Sequence, residues 1–436
     1  MYEGKTHNLF LRYAVPQMIG LLFNSVYTIV DGIFIGNRLG RDAMAAAAVS
    51  VPLIEILISL ALAVASGAAV MIATYLGQGN GTGARKIFNT AIKMMGITGI
   101  FIAIAGNLFL RPLAALLGAT SDILSEATVY LRYIVTFAPF QLFSFLLGGM
   151  VRNDGRPRLT MTAMILGAAS NVILDYVFMY PWNMGIAGAA LATALGPIFS
   201  VFILLPHFLL KKGHLYFVCC SSQLKDIKQI LVYGFPSFIM EFTIGMITFI
   251  YNFAIGHFGY GEIGLAAYLV IGYLMLIILT IFLGMAEGLQ PVFSYFMAVG
   301  AEEQNRLLRC FSTGVFLSIG LICYGLIALF AREFFSIFSP DDLELVAFAQ
   351  SKAIVYFCGF FLAGFNILMI SFWQSTACTK NALITSLSRS LFWPPILMTL
   401  LPLLFGREAI WICQSAGEAV TACVVIILQL ALRKSK

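Results

Sequence analysis

Charge is what this chain has least of. Lys and Arg number 26 and Asp and Glu 20 in 436 residues, 11% of the total, against about 25% in a typical soluble domain. A water-soluble globule of this size could not cover its surface with so few charges. The 60% apolar content excludes intrinsic disorder. Cysteine is scarce as well: all 8 lie at or after Cys219, with no C-x-x-C pair and no Cys/His cluster at metal-ligand spacing. That excludes a disulfide scaffold and a zinc module. The cysteines, including the adjacent Cys219 and Cys220, read as small apolar helix fillers. With 39 Gly and 14 Pro, a collagen-like chain is excluded too.

What the chain does have is hydrophobic length. Its mean hydropathy is +0.93, with long, predominantly apolar runs such as 53–65 and 269–282 rather than the alternating strands of a membrane β-barrel. A spanning helix needs about 20 apolar residues, or about 35 with its connection, so 436 residues accommodate about twelve. The expected spans are 9–36, 43–76, 88–110, 125–151, 159–180 and 187–210, then 230–257, 263–298, 310–331, 346–374, 383–405 and 409–432. The second and eighth exceed 30 residues and must tilt, kink or extend beyond the bilayer, with Pro52 a bend point in the second. The first apolar segment, about 25 residues, is too long for a signal-peptide core and reads as the first membrane helix. The longest polar stretch, 211–228, is too short to fold alone, so no soluble domain is expected.

Placing the N-terminus inside leaves 19 basic residues on the inner side and 7 on the outer. That is a strong positive-inside bias, so both termini are expected in the cytoplasm of a multi-pass plasma-membrane protein. It also accounts for the net charge of +6 as an orientation signal rather than a nucleic-acid surface.

The two halves resemble each other. Tyr13, Pro16, Ile35-Gly36 and Ala46-Ala47 match Tyr233, Pro236, Ile255-Gly256 and Ala266-Ala267 at an offset of 220, and Gly67, Gly79 and Arg85 match Gly288, Gly300 and Arg306 at 221. Six helices per half make both copies cross in the same sense, a parallel repeat of the kind transporters use. The expected organisation is an N-lobe at 1–210, a cytoplasmic linker at 211–229 and a C-lobe at 230–436.

Six acids fall inside the expected spans: Asp31, Glu55, Asp175, Glu241, Glu287 and Glu418. A charge at mid-bilayer costs about 2.5–3.5 kcal/mol on insertion scales, and few basic residues lie at matching depth. These acids must therefore face an aqueous cavity, bind cations or stay protonated. Gln17, Asn24 and Asp31 are seven apart and share one helix face. Pro16 opens that stripe, removes a backbone donor and marks a hinge. Asn171 and Asp175, four apart, point the same way, and Thr193 adds a hydroxyl from the sixth span. Such hard oxygen donors suit Na⁺, or carboxylates that share protons. The alternative is that each polar group is satisfied separately by a neighbouring helix. Ser237, Glu241, Thr248 and Asn252 share a face of the seventh span, while Glu287 has Thr280 and Ser294 seven residues to either side. The first-half acids are not repeated, since Asp31 aligns with Tyr251, so the lobes are expected to be asymmetric.

The Gly-rich stretch 77–86 lacks the Lys-Ser/Thr ending of a phosphate loop and reads as a cytoplasmic turn. No ATP-hydrolysis motif is present. His207 and His257 fall at expected helix ends and read as interfacial.

Several motifs in order resemble one family. Asp31-Gly-Ile-Phe-Ile-Gly-Asn-Arg-Leu-Gly40, Asn153-Asp-Gly-Arg-Pro-Arg158, Asn171-x-x-x-Asp175, Gly188-x-x-x-x-Thr193 and Gly288-Leu-Gln-Pro-Val-Phe-Ser-Tyr295 are similar to MATE (multidrug and toxic compound extrusion) transporters. The similarity is greatest to the bacterial branch with MepA- and DinF-like proteins. The resemblance covers essentially the whole chain. It implies an all-α membrane protein of twelve helices, in two six-helix lobes forming a V around a central cavity. It also implies alternating access, with organic compounds exported against inward H⁺ or Na⁺. Its cation site would map onto Asp31, Asn171, Asp175 and Thr193, and its seventh-helix acid onto Glu241. The tenth span, 346–374, contains no acid where some branches carry one, and Cys378 stands where glycine is usual.

The function expected is thus a secondary antiporter, not an enzyme. It would have no cofactor beyond the coupling ion, with the lipid bilayer and small organic substrates as partners and a monomer as the expected state. Gln17, Asn24, Glu241, Asn252 and Glu287 are candidate cavity residues. A flippase for lipid-linked saccharides is the nearest rival, but it would want a strongly basic cavity. A channel or a receptor is a rival of another class, distinguished by uncoupled flux or by binding without transport.

Overall fold

The computed structural model describes residues 5–39, 41–119, 121, 123–218, 221–338 and 343–434. Cys219 and Cys220 and the side chains of Thr248 and Asn252 lie outside what is described. Among the described residues there is no strand.

The first half comprises α1 (Thr6–Leu39), α2 (Arg41–Ala48), α3 (Val51–Gly77), α4 (Gly81–Leu108), α5 (Leu110–Leu116), α6 (Leu124–Asn153), α7 (Pro157–Met179) and α8 (Ile186–Leu209). The second comprises α9 (Leu224–His257), α10 (Gly261–Ala298), α11 (Glu302–Phe338), α12 (Leu343–Phe357), α13 (Phe360–Ser375), α14 (Thr379–Leu387), α15 (Trp393–Phe405) and α16 (Cys413–Lys434). Ten segments among the described residues are long and apolar enough to span a bilayer, and α12 with α13, bent by 45°, makes an eleventh. The 34-residue α9 occupies the seventh position of the repeat.

Three expected single spans are interrupted. The second breaks at Val49–Ser50, where Pro52 sits in the first turn of α3, a position that needs no backbone donor. The tenth bends between α12 and α13. The eleventh carries a π-helical turn, Ser388–Phe392, between α14 and α15, directly ahead of Pro394-Pro395, which cannot donate to the helix ladder. In contrast, α1 runs unbroken through Pro16.

The lipid-facing surface is apolar. On α4, Ile97, Ile100, Phe101, Ile104 and Leu108 are exposed at helical spacing, the inverse of a soluble amphipathic helix. Inside there are two main cores. One gathers α3, α4, α6 and α8 around Phe88, Leu142 and Leu146. The other gathers α10 to α13 around Phe282, Phe316 and Tyr356.

The halves meet at two crossings related by the internal repeat, α1 on α10 and α3 on α9. Small residues permit both. A Cβ on Gly288 would lie 2.3 Å from the Tyr13 carbonyl oxygen, and one on Gly67 would lie 1.9 Å from the Ile230 carbonyl oxygen. Gly234 is similarly pressed against the Ala63 carbonyl oxygen, at 1.7 Å. The positions paired at an offset of 221, Gly67 and Gly288, thus do the same work in opposite lobes, letting backbones approach closely. Both crossings lie at the end of the bundle where the chain enters α1. At the same end, Lys86 pairs with Asp226 at 2.8 Å, and the 210–223 connection is pinned through Asp154, which accepts from the His214 and Leu215 amides. The structure is therefore closed at this end.

Gly234→Leu should force α3 and α9 apart and shift the protein toward a form open at this end. With spin labels on Arg158 and Arg306 in a cysteine-free background, the inter-label distance should lengthen. An unchanged distance would mean the crossings do not set the closure.

His207 differs from expectation. It is buried at 1% exposure, and its Nε2 lies 2.8 Å from Asp154 Oδ2. The reason is local: the α6–α7 turn folds Asp154 back over the end of α8, so the imidazole is a packing partner rather than an interfacial group.

Candidate ion and substrate site

Between the lobes lies a cavity of about 1190 Å³, counting the open solvent at its mouth. Its floor is the pair of glycine crossings. Gln17 and Asn24 line it from α1, Asn171 from α7, Thr193 from α8, and Glu241 and Glu287 from α9 and α10. Five polar residues picked out from helical spacing, together with Thr193, thus converge on one space.

Asp31 and Asp175 are brought together from α1 and α7, each carboxyl within electrostatic reach of the other. Helical periodicity aims them: Asp31 lies two turns beyond Asn24, and Asp175 one turn beyond Asn171. They are not in the cavity wall itself but just behind it, with Asp175 fully buried. Among the described residues, both Asp175 oxygens, Oδ1 of Asp31 and both polar atoms of Asn171 are buried without a partner. Unsatisfied oxygens packed this closely fit a cation or a shared proton, because a buried acceptor without a donor is costly. Thr193 donates to the Ala189 carbonyl oxygen at 3.1 Å and lies 3.4 Å from the Tyr130 hydroxyl. Tyr27 and Tyr130 lie within electrostatic reach of both carboxyls. Neither tyrosine is among the expected site residues; Tyr27 stands one turn before Asp31, a spacing that points to it, whereas Tyr130 carries no sequence signal.

The counterpart of Asp31 in the second lobe is an aromatic core. Tyr251 is fully buried and stacks on Tyr268 at 4.9 Å, with Tyr356 edge-on at 5.6 Å. The expected asymmetry of the lobes is therefore a replacement of oxygen ligands by packed rings.

The expectation that few basic residues lie at the depth of the acids needs correction in two places. Arg152, at the end of α6, approaches Glu287 to 3.8 Å, and Gln17 donates to the same carboxylate at 3.0 Å. Arg389, in the π-helical turn, pairs with Glu418 at 2.9 Å, and Asn366 donates to Glu418 Oε2 at 2.9 Å. Both arginines count among the 19 basic residues that the positive-inside reading puts on the inner side. Tertiary packing draws each inward to an acid on another helix, because an isolated buried carboxylate is the costlier arrangement.

A neutral cluster missed from sequence joins the lobes at the cavity floor. Ser66 of α3 meets Ser237 at 3.1 Å, Gln290 at 2.6 Å and Gln374 at 2.9 Å. Gln374 also donates to the Tyr233 carbonyl oxygen at 2.6 Å, tying α13 to α9.

Comparison with known proteins concerns the chain and the fold as a whole. The staphylococcal multidrug export protein MepA is 26% identical in Staphylococcus saprophyticus, over 99% of this chain and 94% of the relative. In Staphylococcus aureus it is 23% identical, over 97% and 93%. The fold matches that of a multidrug resistance MATE family transporter of the MOP superfamily solved in an outward-facing conformation, with a TM-score of 0.92 at 23% identity, covering 99% of this chain and 98% of the other. It also matches a MOP superfamily transporter from Pyrococcus furiosus, with a TM-score of 0.90 at 24% identity, covering 98% and 95%. These neighbours have twelve helices in two lobes, as the repeat implies here. The MatE family profile matches twice, at residues 16–177 and 236–399, so the two matches begin 220 residues apart, as the internal repeat does. This polytopic membrane protein belongs to the MatE family of transporters.

Proposed function

We propose that the chain is a multidrug efflux antiporter, exporting organic and often cationic compounds in exchange for inward H⁺ or Na⁺ by alternating access. The carrying observation is the Asp31–Asp175 pair, set against the wall of a cavity that is closed at one end by two helix crossings. Multidrug export is the activity named for its MepA relatives. The second-lobe wall supports cationic substrates: Glu241 lies within electrostatic reach of Glu55 and Glu287, and of the lining residues only Arg152 is basic. A strongly basic cavity, which a lipid-linked saccharide flippase would want, is not what these residues build.

The proposed cycle follows from the chemistry. With the cavity open outward, Asp31 and Asp175 take up H⁺ or Na⁺, with Asn171 and Thr193 supplying further oxygen. Neutralising the pair lets α1 bend near Pro16 and displaces substrate outward. With the cavity open inward, the ion leaves to the cytoplasm and substrate rebinds at Gln17, Asn24, Glu241 and Glu287. The positive-inside count supports a cytoplasmic location for the closed end and both termini. The N-lobe, 1–210, and the C-lobe, 230–436, joined by the linker at 211–229, work together as a monomer.

Proteoliposomes carrying a fluorescent lipophilic cation test the reading. Transport should start on imposing either a pH gradient or a Na⁺ gradient, and whichever one drives it names the ion. Equal flux with no gradient would make the protein a channel, and binding without flux a receptor.

A further inference from the structure

A second, lateral groove lies on the lipid-facing surface, away from the central cavity. It runs along α9 against the start of α14 and is lined almost wholly by apolar groups, among them Ile227, Leu231, Phe235 and Leu383. Leu231 and Phe235 stay 46% and 45% exposed, so the groove presents open apolar surface. Two lysines, Lys228 and Lys380, stand on its rim. Both are exposed, and neither makes an ion pair among the described residues. Thr379 also lines the groove, and its hydroxyl oxygen is buried with no partner among the described residues. The first turn of α14 begins there with no side-chain cap; the Asn381 and Ala382 amides donate to the Cys378 carbonyl oxygen at 3.0 and 3.2 Å, which leaves the Thr379 and Lys380 amides to an anion.

These features fit one chemistry. An anionic head meets two ammonium groups that are unpaired among the described residues, beside a helix N-terminus, and a hydrocarbon tail continues from it. From Lys228 the groove continues along α9 to Pro236, about 12 Å at the helical rise, room for the upper part of an acyl chain within the ~15 Å of one leaflet's hydrocarbon. The lysines sit at the same end of the bundle as the glycine crossings, where basic groups beside a membrane helix attract acidic lipid. We infer that this groove is a binding site for an anionic glycerophospholipid, its phosphate between Lys228 and Lys380 and one acyl chain along α9. A zwitterionic lipid would fill the apolar part but leave the lysines without a net counter-charge. Free phosphate would lack the apolar part.

The full-length protein in phosphatidylcholine nanodiscs, titrated with fluorescent phosphatidylglycerol, tests this. The parent should bind saturably and prefer phosphatidylglycerol to fluorescent phosphatidylcholine. Lys228→Gln combined with Lys380→Gln should weaken phosphatidylglycerol binding about 30-fold with an unchanged Tm in phosphatidylcholine alone. Lys212→Gln, an exposed lysine outside the groove, should bind as the parent does. Three results would each overturn the inference: equal binding of both lipids, which makes the groove an ordinary lipid contact; full competition by inorganic phosphate, which makes it a free-anion site; or parental affinity in the double variant.

Discussion

Asp31→Asn and Asp175→Asn should each abolish ion-driven export while leaving a folded protein. The substitution preserves volume and hydrogen-bonding shape but removes the group that exchanges a cation. One charge moving inward contributes about 2.3 kcal/mol per 100 mV of membrane potential, equivalent to about 50-fold of substrate accumulation. A variant that moves one charge fewer should lose that much of its steady-state gradient, and one that cannot complete the cycle should fall to background. Gradient-driven uptake into proteoliposomes, normalised to inserted protein, is the measurement. The structure adds a stability readout. Two carboxyls packed together behind the cavity wall, with Asp175 fully buried and its oxygens unpartnered, strain the fold when charged. Asp175→Asn should therefore unfold at a temperature equal to or above that of the parent, trading activity for stability as functional sites do. A variant that exports as well as the parent would remove the pair from the mechanism.

The opposite balance is expected at Arg389 and Glu418. Arg389→Met strands a carboxylate that is 1% exposed between Asn366 and Gln414, which approach its oxygens to 2.9 and 3.5 Å. Removing one partner of a buried ion pair costs about 3–5 kcal/mol, so the single variant should show a sharp loss of thermal stability and of folded yield. Adding Glu418→Gln should restore most of it, because the pair is then neutral and Asn366 keeps an acceptor. Thermal unfolding of the parent, both single variants and the double variant completes the cycle, and additive effects would refute the coupling. Gradient-driven transport by the restored double variant should be near parental, since this pair lies in the second lobe, away from Asp31 and Asp175.

Much of the candidate site was legible because helical geometry is local. Gln17, Asn24 and Asp31 at intervals of seven, and Asn171 with Asp175 at four, had to share faces once the segments were helical. All of them are now found on or just behind one cavity wall. The inter-lobe cluster around Ser66 was not legible. Ser, Gln and Ser occur throughout membrane helices, and nothing in their spacing says which will meet across a crossing. The interrupted spans were only partly visible. Pro52 announced one break, whereas the bend between α12 and α13 has no proline at it.

The sequence by itself determined the class, the near positions of the spans, the repeat and the faces that carry polar groups. These depend on the transfer free energy of each residue into hydrocarbon and on a fixed helical pitch, both properties of a chain segment alone. The tertiary structure alone decided which charges neutralise one another. Arg152 reaches Glu287, and Arg389 reaches Glu418, across helices whose mutual rotation is set by packing. It also decided that Gly67 and Gly288, matched in sequence, would serve as the two contact points closing one end of the cavity. Such pairings depend on how close two backbones come, a quantity that no single helix encodes.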